Sequence, residues 1–422
     1  MSLLPIIYFV PLTKSTLVFY DFWRPVSMEE VFPDSPKIMD LAIEGCPLHH
    51  QTPKICYNCF IQIKGSLAMR NIPILRLIEA YIIGGLGGYL FYLANLPLPW
   101  VLGALSFIML YQGFSRRKVY CPDPLKQSGF LVLGLFFGLY FTKDTLLTVA
   151  PYILPYVLST IALVAVSIMN SILVTRWISV DKITSVFGSI PGGLSEMVVA
   201  SESLNAKSSL VVIFQTVRLL TVLFLVPFIV VHTFSSNGIG QDVTATIGST
   251  YEFGGWHYLW FLPAIMGGVL LKNKVPAGIV IIPLALTALF NITLIEMATL
   301  PPVLLILAQV TVGIGMGKGI AFADLKLGGK YCVVYFGLTV TLILVSFGLG
   351  TLLAAMTSLN LPTAILSVAP GGLIEMVLTA TSVGGDPAVV SSLQLIRLLF
   401  IIIVVPPLLK WYFRRIPKEK IA

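Results

Sequence analysis

Two short strings in this chain carry groups for which an apolar protein has no ordinary use. Pro191-Gly192-Gly193-Leu194-Ser195-Glu196-Met197 is followed by Gln215 and Arg218, and Pro370-Gly371-Gly372-Leu373-Ile374-Glu375-Met376 by Gln394 and Arg397. Proline suits the first position of a helix, where its missing N–H would be unpaired anyway. Paired glycines let backbone approach closely, and leave N–H groups at a helix start free to face a ligand. A carboxylate three residues on can take up H⁺ or Na⁺, and a guanidinium can hold an anionic group. Gln215 and Arg218 share one helical face, as do Gln394 and Arg397, because residues three apart are neighbours on a helix. Each string therefore offers a carboxylate, an amide and a guanidinium for one site.

Whether that site lies in water or in lipid follows from composition. The 422 residues are 57% apolar before glycine is counted, only 11% are charged, and the mean hydropathy is +0.92. A soluble domain carries about 25% charged residues. Too few polar side chains remain to cover a surface in water, so the chain reads as an all-α polytopic membrane protein. Its formal charge of +8 comes in short clusters between apolar runs, which orient membrane proteins rather than bind nucleic acid.

The two strings belong to a larger duplication. An offset of 179 pairs Gln215 with Gln394, Arg218 with Arg397, Pro227 with Pro406, Gly88 with Gly267, Pro97 with Pro276, Gly134 with Gly313 and Gly138 with Gly317, one register held over about 140 positions. Apolar segments fall at about 74–94, 98–113, 128–142, 149–175, 183–204 and 208–232, and again at about 256–271, 276–296, 303–317, 330–357, 362–384 and 388–410. The fifth of each set holds Pro-Gly-Gly and the glutamate, so it reads as a re-entrant or broken helix, with Pro191 and Pro370 at the break. Domain expectations follow: 1–68 an N-terminal extension, 69–232 the first membrane repeat, 233–255 an extracytoplasmic linker, 256–412 the second repeat, 413–422 a basic cytoplasmic tail. The extension mixes polar, aromatic and proline residues without a sustained period. It reads as poorly structured, or as sequence upstream of a start at Met69. Its Cys46, His49, His50, Cys56 and Cys59 could hold zinc by ligand type, but their spacing matches no ribbon or finger, and no metal or other cofactor is expected.

Lysine and arginine decide the topology, since cytoplasmic loops are enriched in them. From Met69 onward there are 22, of which Arg218 and Arg397 lie mid-segment. With five spans and a dipping fifth segment per copy, starting inside, the remaining residues split 19 to 1, Lys143 alone falling outside. With twelve full spans the split is 13 to 7. The first arrangement inverts the second copy relative to the first, a recurring plan of transporters whose binding site lies at mid-membrane between interrupted helices.

At about 1.5 Å per residue, Arg218 and Arg397 lie roughly 15 Å into their segments, near the midplane. A charge at the bilayer centre costs about 2.5–3.5 kcal/mol even on the lenient insertion scale. Two carboxylates and two guanidiniums sum to zero. In the plainer alternative, Glu196–Arg218 and Glu375–Arg397 are static ion pairs that lock the dipping segment to its neighbour; charge reversal within a pair would then preserve activity. Gly134-x-x-x-Gly138 and Gly313-x-x-x-Gly317 read as close helix packing.

The doubled Pro-Gly-Gly-Leu-x-Glu-Met, each copy followed by Gln-x-x-Arg-Leu-Leu, together with Pro97-Leu98-Pro99-Trp100-Val101-Leu102-Gly103, resembles the bacterial membrane AbrB family over about residues 74–412. Members of that family carry two labels, ammonia monooxygenase and regulator of gene expression. A copper oxygenase needs clustered histidines, and the four here are His49, His50, His232 and His257. A DNA reader needs a soluble basic element, and no loop between segments is long enough to hold one. The expectation is a non-enzymatic secondary transporter of a small molecule or ion in the bacterial inner membrane, with both ends of the membrane domain cytoplasmic. Its site comprises Glu196, Glu375, Arg218, Arg397, Gln215, Gln394, Gly192, Gly193, Gly371 and Gly372. Its partners are the lipid bilayer, the solute and a possible second copy, with no direct nucleic acid. The alternative is a membrane sensor or regulator that binds the same ligand without moving it. No phosphate-binding loop of the Walker type is present, so ATP does not drive it.

Overall fold

The structure, a computed structural model, describes residues 74–415 apart from 116, 179, 205, 235–254, 276, 294–296 and 321–327. The extension, most of the linker and the end of the tail lie outside the described residues. So do the side chains of Ser195 and Glu196.

Five helices are long and apolar enough to cross a membrane: Ile74–Leu93, Leu147–Val174, Ser208–Phe234, Lys330–Met356 and Pro387–Phe413. Twenty residues at 1.5 Å each span about 30 Å, the thickness of a hydrocarbon core. In chain order the helices are α1 (Ile74–Leu93), α2 (Pro99–Ser115), α3 (Asp123–Gly138), α4 (Lys143–Val149), α5 (Ile153–Val174), α6 (Lys182–Ser189), α7 (Leu194–Glu202) and α8 (Ser208–Phe234). After the linker come α9 (Phe261–Leu271), α10 (Gly278–Ile292), α11 (Pro302–Lys318), α12 (Lys330–Met356), α13 (Leu361–Val368), α14 (Leu373–Ser382) and α15 (Pro387–Arg415). No strand occurs among the described residues. Ile74, Leu75, Ile78, Ile82, Leu86, Leu90 and Leu93 are exposed along α1. Water would not tolerate such a face, and lipid is its natural solvent. The protein is an all-α polytopic membrane protein.

α8 and α15 are the inner helices. Their most apolar windows are 56% and 50% buried, against 22–33% for the other three long helices. These two carry the Gln-x-x-Arg pairs.

The shorter helices pack through the repeated glycines. A β-carbon at Gly134 would stand 2.5 Å from the Val280 carbonyl oxygen, and one at Gly138 would stand 2.7 Å from that of Leu284. In the mirror contact, Gly313 would meet the Val101 oxygen at 2.5 Å and Gly317 the Leu105 oxygen at 2.8 Å. The offset of 179 turns Val101 and Leu105 into Val280 and Leu284. Each glycine pair therefore seats its helix on the second helix of the other copy: α3 on α10, and α11 on α2. Tyrosines make a related exchange. Tyr156 of α5 donates to the Ser367 carbonyl at 2.9 Å, and Tyr335 of α12 donates to Ser185 Oγ at 2.7 Å.

The fifth segment of each copy is two short helices joined by a break, α6–α7 and α13–α14. Asp181 caps α6 by accepting from the Thr184 N–H at 2.8 Å, and Asn360 caps α13 by accepting from the Thr363 N–H at 3.2 Å. The two ends of each segment meet. The Lys207 N–H donates to Thr184 Oγ1 and the Asp386 N–H to Thr363 Oγ1, both at 2.9 Å. A segment whose ends are hydrogen-bonded together returns to the level at which it started and does not cross a layer about 30 Å thick. It is re-entrant.

Candidate functional site

The tie between Thr184 and Lys207 sets the depth of the site. From it, α6 and α8 start side by side, and equal numbers of residues reach equal depth at about 1.5 Å each. Ile190 lies six residues beyond Thr184, and Gln215 and Arg218 lie eight and eleven beyond Lys207. The Gln-x-x-Arg face of α8 thus arrives where α6 ends, and that of α15 where α13 ends.

Helix ends leave carbonyls without intrahelical partners. Gln215 Nε2 donates to the carbonyls of Phe187 (2.6 Å) and Ile190 (3.0 Å), and Arg218 donates to those of Ile190 (2.7 Å) and Gly192 (3.4 Å). At the offset of 179, Gln394 Nε2 donates to Leu366 (2.6 Å), Ser367 (3.1 Å) and Ala369 (3.3 Å), while Arg397 donates to Val368 (3.3 Å), Ala369 and Gly371 (2.7 Å). The amide and guanidinium cap the broken end of the first half-helix, where the helix dipole is negative.

Two sequence expectations are corrected here. Pro191 and Pro370 do not occupy the first helical position. The N-caps of α7 and α14 are Gly193 and Gly372, and each proline sits two residues earlier, inside the break. Proline disfavours helical backbone in the residue before it: Ile190 (ψ 131°) and Ala369 (ψ 134°) are extended, so the proline ends the first half-helix rather than starting the second. Nor are the N–H groups of Gly192 and Gly371 free for a ligand. They donate to the carbonyls of Ile190 and Ala369 at 2.8 Å, closing a γ-turn around each proline.

Glu375 is buried, 4% exposed, in the first turn of α14, three residues past its N-cap. A β-carbon on Gly372 would collide with its carboxylate, which therefore lies back against the N-cap backbone. A carboxylate there complements the positive end of a helix. Glu375 and Arg397 form no ion pair, and the static-pair alternative has no support among the described residues. The acid serves one side of the break and the base serves the other.

Between the breaks lies a cavity of about 280 Å³. Its walls include Pro191, Gly192 and Gly193 from one motif, Pro370, Gly371 and Gly372 from the other, and Gln215, Arg218, Gln394 and Arg397. The rest is aliphatic, with Leu219, Val222 and Leu223 facing Leu373, Leu398, Ile401 and Ile402. Of the twelve residues singled out in the sequence, ten meet here. Glu375 is not among the lining residues, and the Glu196 side chain lies outside those described. The apolar residues of the lining carry no sequence mark that separates them from ordinary core.

A second, smaller cavity of about 10 Å³ adjoins Arg218. Sequence reasoning passed over it. Ser167, Asn170, Ser189, Tyr335 and Thr339 line it. Asn170 and Ser189 of the first copy correspond to the apolar Leu349 and Val368 at the offset of 179, while Ser167, Tyr335 and Thr339 correspond to Ser346, Tyr156 and Thr160.

The chain is similar to known proteins. The family described as "Transition state regulatory protein AbrB" matches residues 100–413. The chain is 24% identical to "Uncharacterized protein YhjN" of Bacillus subtilis (strain 168) over 360 residues, 77% of this chain and 90% of that protein. It is 26% identical to "Putative regulator AbrB" of Escherichia coli (strain K12) over 355 residues, 78% of this chain and 94% of that protein. No solved structure matches the chain.

Proposed function

The chain belongs to the AbrB family of membrane proteins, and on that premise we propose that it is a secondary transporter of a small molecule, binding its solute in the cavity between the two Pro-Gly-Gly breaks. The observation that carries this reading is that both breaks and both Gln-x-x-Arg faces line one cavity deep among apolar helices. Backbone at membrane depth departs from regular helix only where protein buries it or a water-filled path needs it. Two matched interruptions around one space are the arrangement that alternating access uses.

In this reading the repeats, 69–232 and 256–412, have opposite orientations in the bacterial inner membrane, with the basic loops and both ends of the membrane domain cytoplasmic. The reciprocal glycine and tyrosine contacts fit a two-fold relation between the copies, and the fifth segment, read as re-entrant, leaves an odd number of spans in each copy and so supports the inversion.

The second reading is a membrane sensor that holds the same ligand without moving it; the name of the Escherichia coli relative, a regulator, favours it. Flux separates the two. The full chain, reconstituted in liposomes, is offered a labelled panel of small organic acids, amines and amino acids. Transport predicts saturable, gradient-driven uptake of the solutes that bind, cut at least about tenfold by Leu219→Trp, which fills the cavity. Binding without flux in any direction or gradient identifies a sensor.

A further inference from the structure

The two halves of the site are not equivalent, and the difference points to what it binds. In the second half, Arg397 donates to three carbonyls and to Gln394 Oε1. In the first half, Arg218 makes one good bond, to Ile190, and one long contact, 3.4 Å to Gly192. Its Nε has no partner, and neither does Gln215 Oε1, the atom whose counterpart Arg397 satisfies. Both side chains are more than nine-tenths buried, at 8% and 1% exposed. Buried donors and acceptors are ordinarily paired, so the first half of the site holds its arginine less tightly than the second. The weakly held Nη2 leaves the Arg218 guanidinium, which lines the central cavity, with donor capacity for a carboxylate oxygen. Arg218 also borders the small second cavity, where Asn170 Nδ2 is likewise unpartnered.

Charge leads to the same class. The central cavity has two guanidiniums in its wall and no carboxylate among the described lining residues. Two cations sharing a space of low dielectric repel, and an anion between them removes the penalty. The aliphatic remainder of the wall suits a carbon skeleton rather than a hydrated inorganic ion.

Resting on the reading of this cavity as a solute site, we infer that its ligand is a small monocarboxylate with an aliphatic body, held by the Arg218 guanidinium, while Arg397 keeps a structural role as the cap of the second break.

The test uses the full-length protein in detergent, with thermal shift and equilibrium binding. The probes are straight and branched carboxylates of two to six carbons, with or without a 2-hydroxyl, the amides and alkylammonium ions of the same shapes, and chloride and phosphate. Carboxylates are expected to raise the melting midpoint, and the amides, ammonium ions and inorganic anions are not. Arg218→Lys keeps the charge but loses the fork, and should weaken carboxylate binding about ten- to a hundredfold while hardly moving the midpoint of the free protein. Arg397→Lys should lower that midpoint and keep the preference for carboxylates. The inference is overturned if no carboxylate binds, if amides or ammonium ions bind as well, or if both lysine variants lose binding equally. Transport of a cation or a neutral solute would overturn it and leave the transport reading standing. A carboxylate that binds without crossing would do the reverse.

Discussion

Arg397→Ala is expected to destabilise the protein more than any other single change in the cavity wall. The guanidinium is buried, 5% exposed, and supplies donors to the carbonyls of Val368, Ala369 and Gly371. Removing it takes that donor from Gly371 and Val368, while Ala369 keeps the Gly371 N–H at 2.8 Å and a 3.3 Å contact from Gln394. Each buried acceptor so stripped costs about 1–3 kcal/mol. Arg218→Ala removes one good bond and one long one, and should cost less. Melting curves in detergent measure both. The exchange Glu375→Arg with Arg397→Glu sharpens the result. If acid and base were partners, the double variant would recover what each single variant loses. Because Arg397 answers to carbonyls, a glutamate in its place adds repulsion at the negative end of α13, and the double variant should melt no higher than Arg397→Glu alone.

The second large effect concerns the glycine seams. A leucine at Gly134 or Gly313 drives its first side-chain atom into a backbone oxygen 2.5 Å away, Val280 in one case and Val101 in the other. Backbone cannot swing aside as a side-chain end does, so α3 must part from α10, or α11 from α2. Overpacking costs typically about 1–3 kcal/mol and more where nothing yields. The two variants should lose folded material to a similar degree, because they break the same contact seen from opposite copies. Gly348→Leu, on an exposed face with nothing within 4 Å, is the control and should be neutral. Size-exclusion yield and melting midpoint report all three. A tolerated leucine at Gly134 would mean that the reciprocal seam does not hold the copies together.

Much of this architecture is legible in residue type and spacing. Pro-Gly-Gly announces a break because proline and glycine are the residues that helices exclude, and its repetition at one offset announces that the break occurs twice. Buried arginine and glutamate stand out because lipid penalises them. What residue types do not reveal is which backbone groups these side chains serve. Carbonyls have no signature in a sequence, so an acid and a base 22 residues apart invite pairing with each other, although Arg397 caps one half-helix and Glu375 lies at the start of the next. The proline was misplaced for a related reason. Its fixed backbone suits either side of a break, and only the extended Ile190 and Ala369 tell which side it closes. The inequality between Arg218 and Arg397 was hidden because both sit in the same motif, and the residues that distinguish their surroundings, Asn170 against Leu349 and Ser189 against Val368, lie on other elements.

Opposed halves that bring two re-entrant breaks to one interior cavity are the basis of the functional reading, and their orientation can be measured directly. In the full chain, with its five native cysteines replaced by serine, single cysteines at Asp242 and Lys326 are labelled with a membrane-impermeant maleimide on intact cells and on inverted vesicles. The account predicts that Asp242→Cys reacts in intact cells and Lys326→Cys in inverted vesicles. The swapped pattern, Asp242→Cys reacting in inverted vesicles and Lys326→Cys in intact cells, is what twelve full spans give and would contradict it, as would reaction of both from the same side.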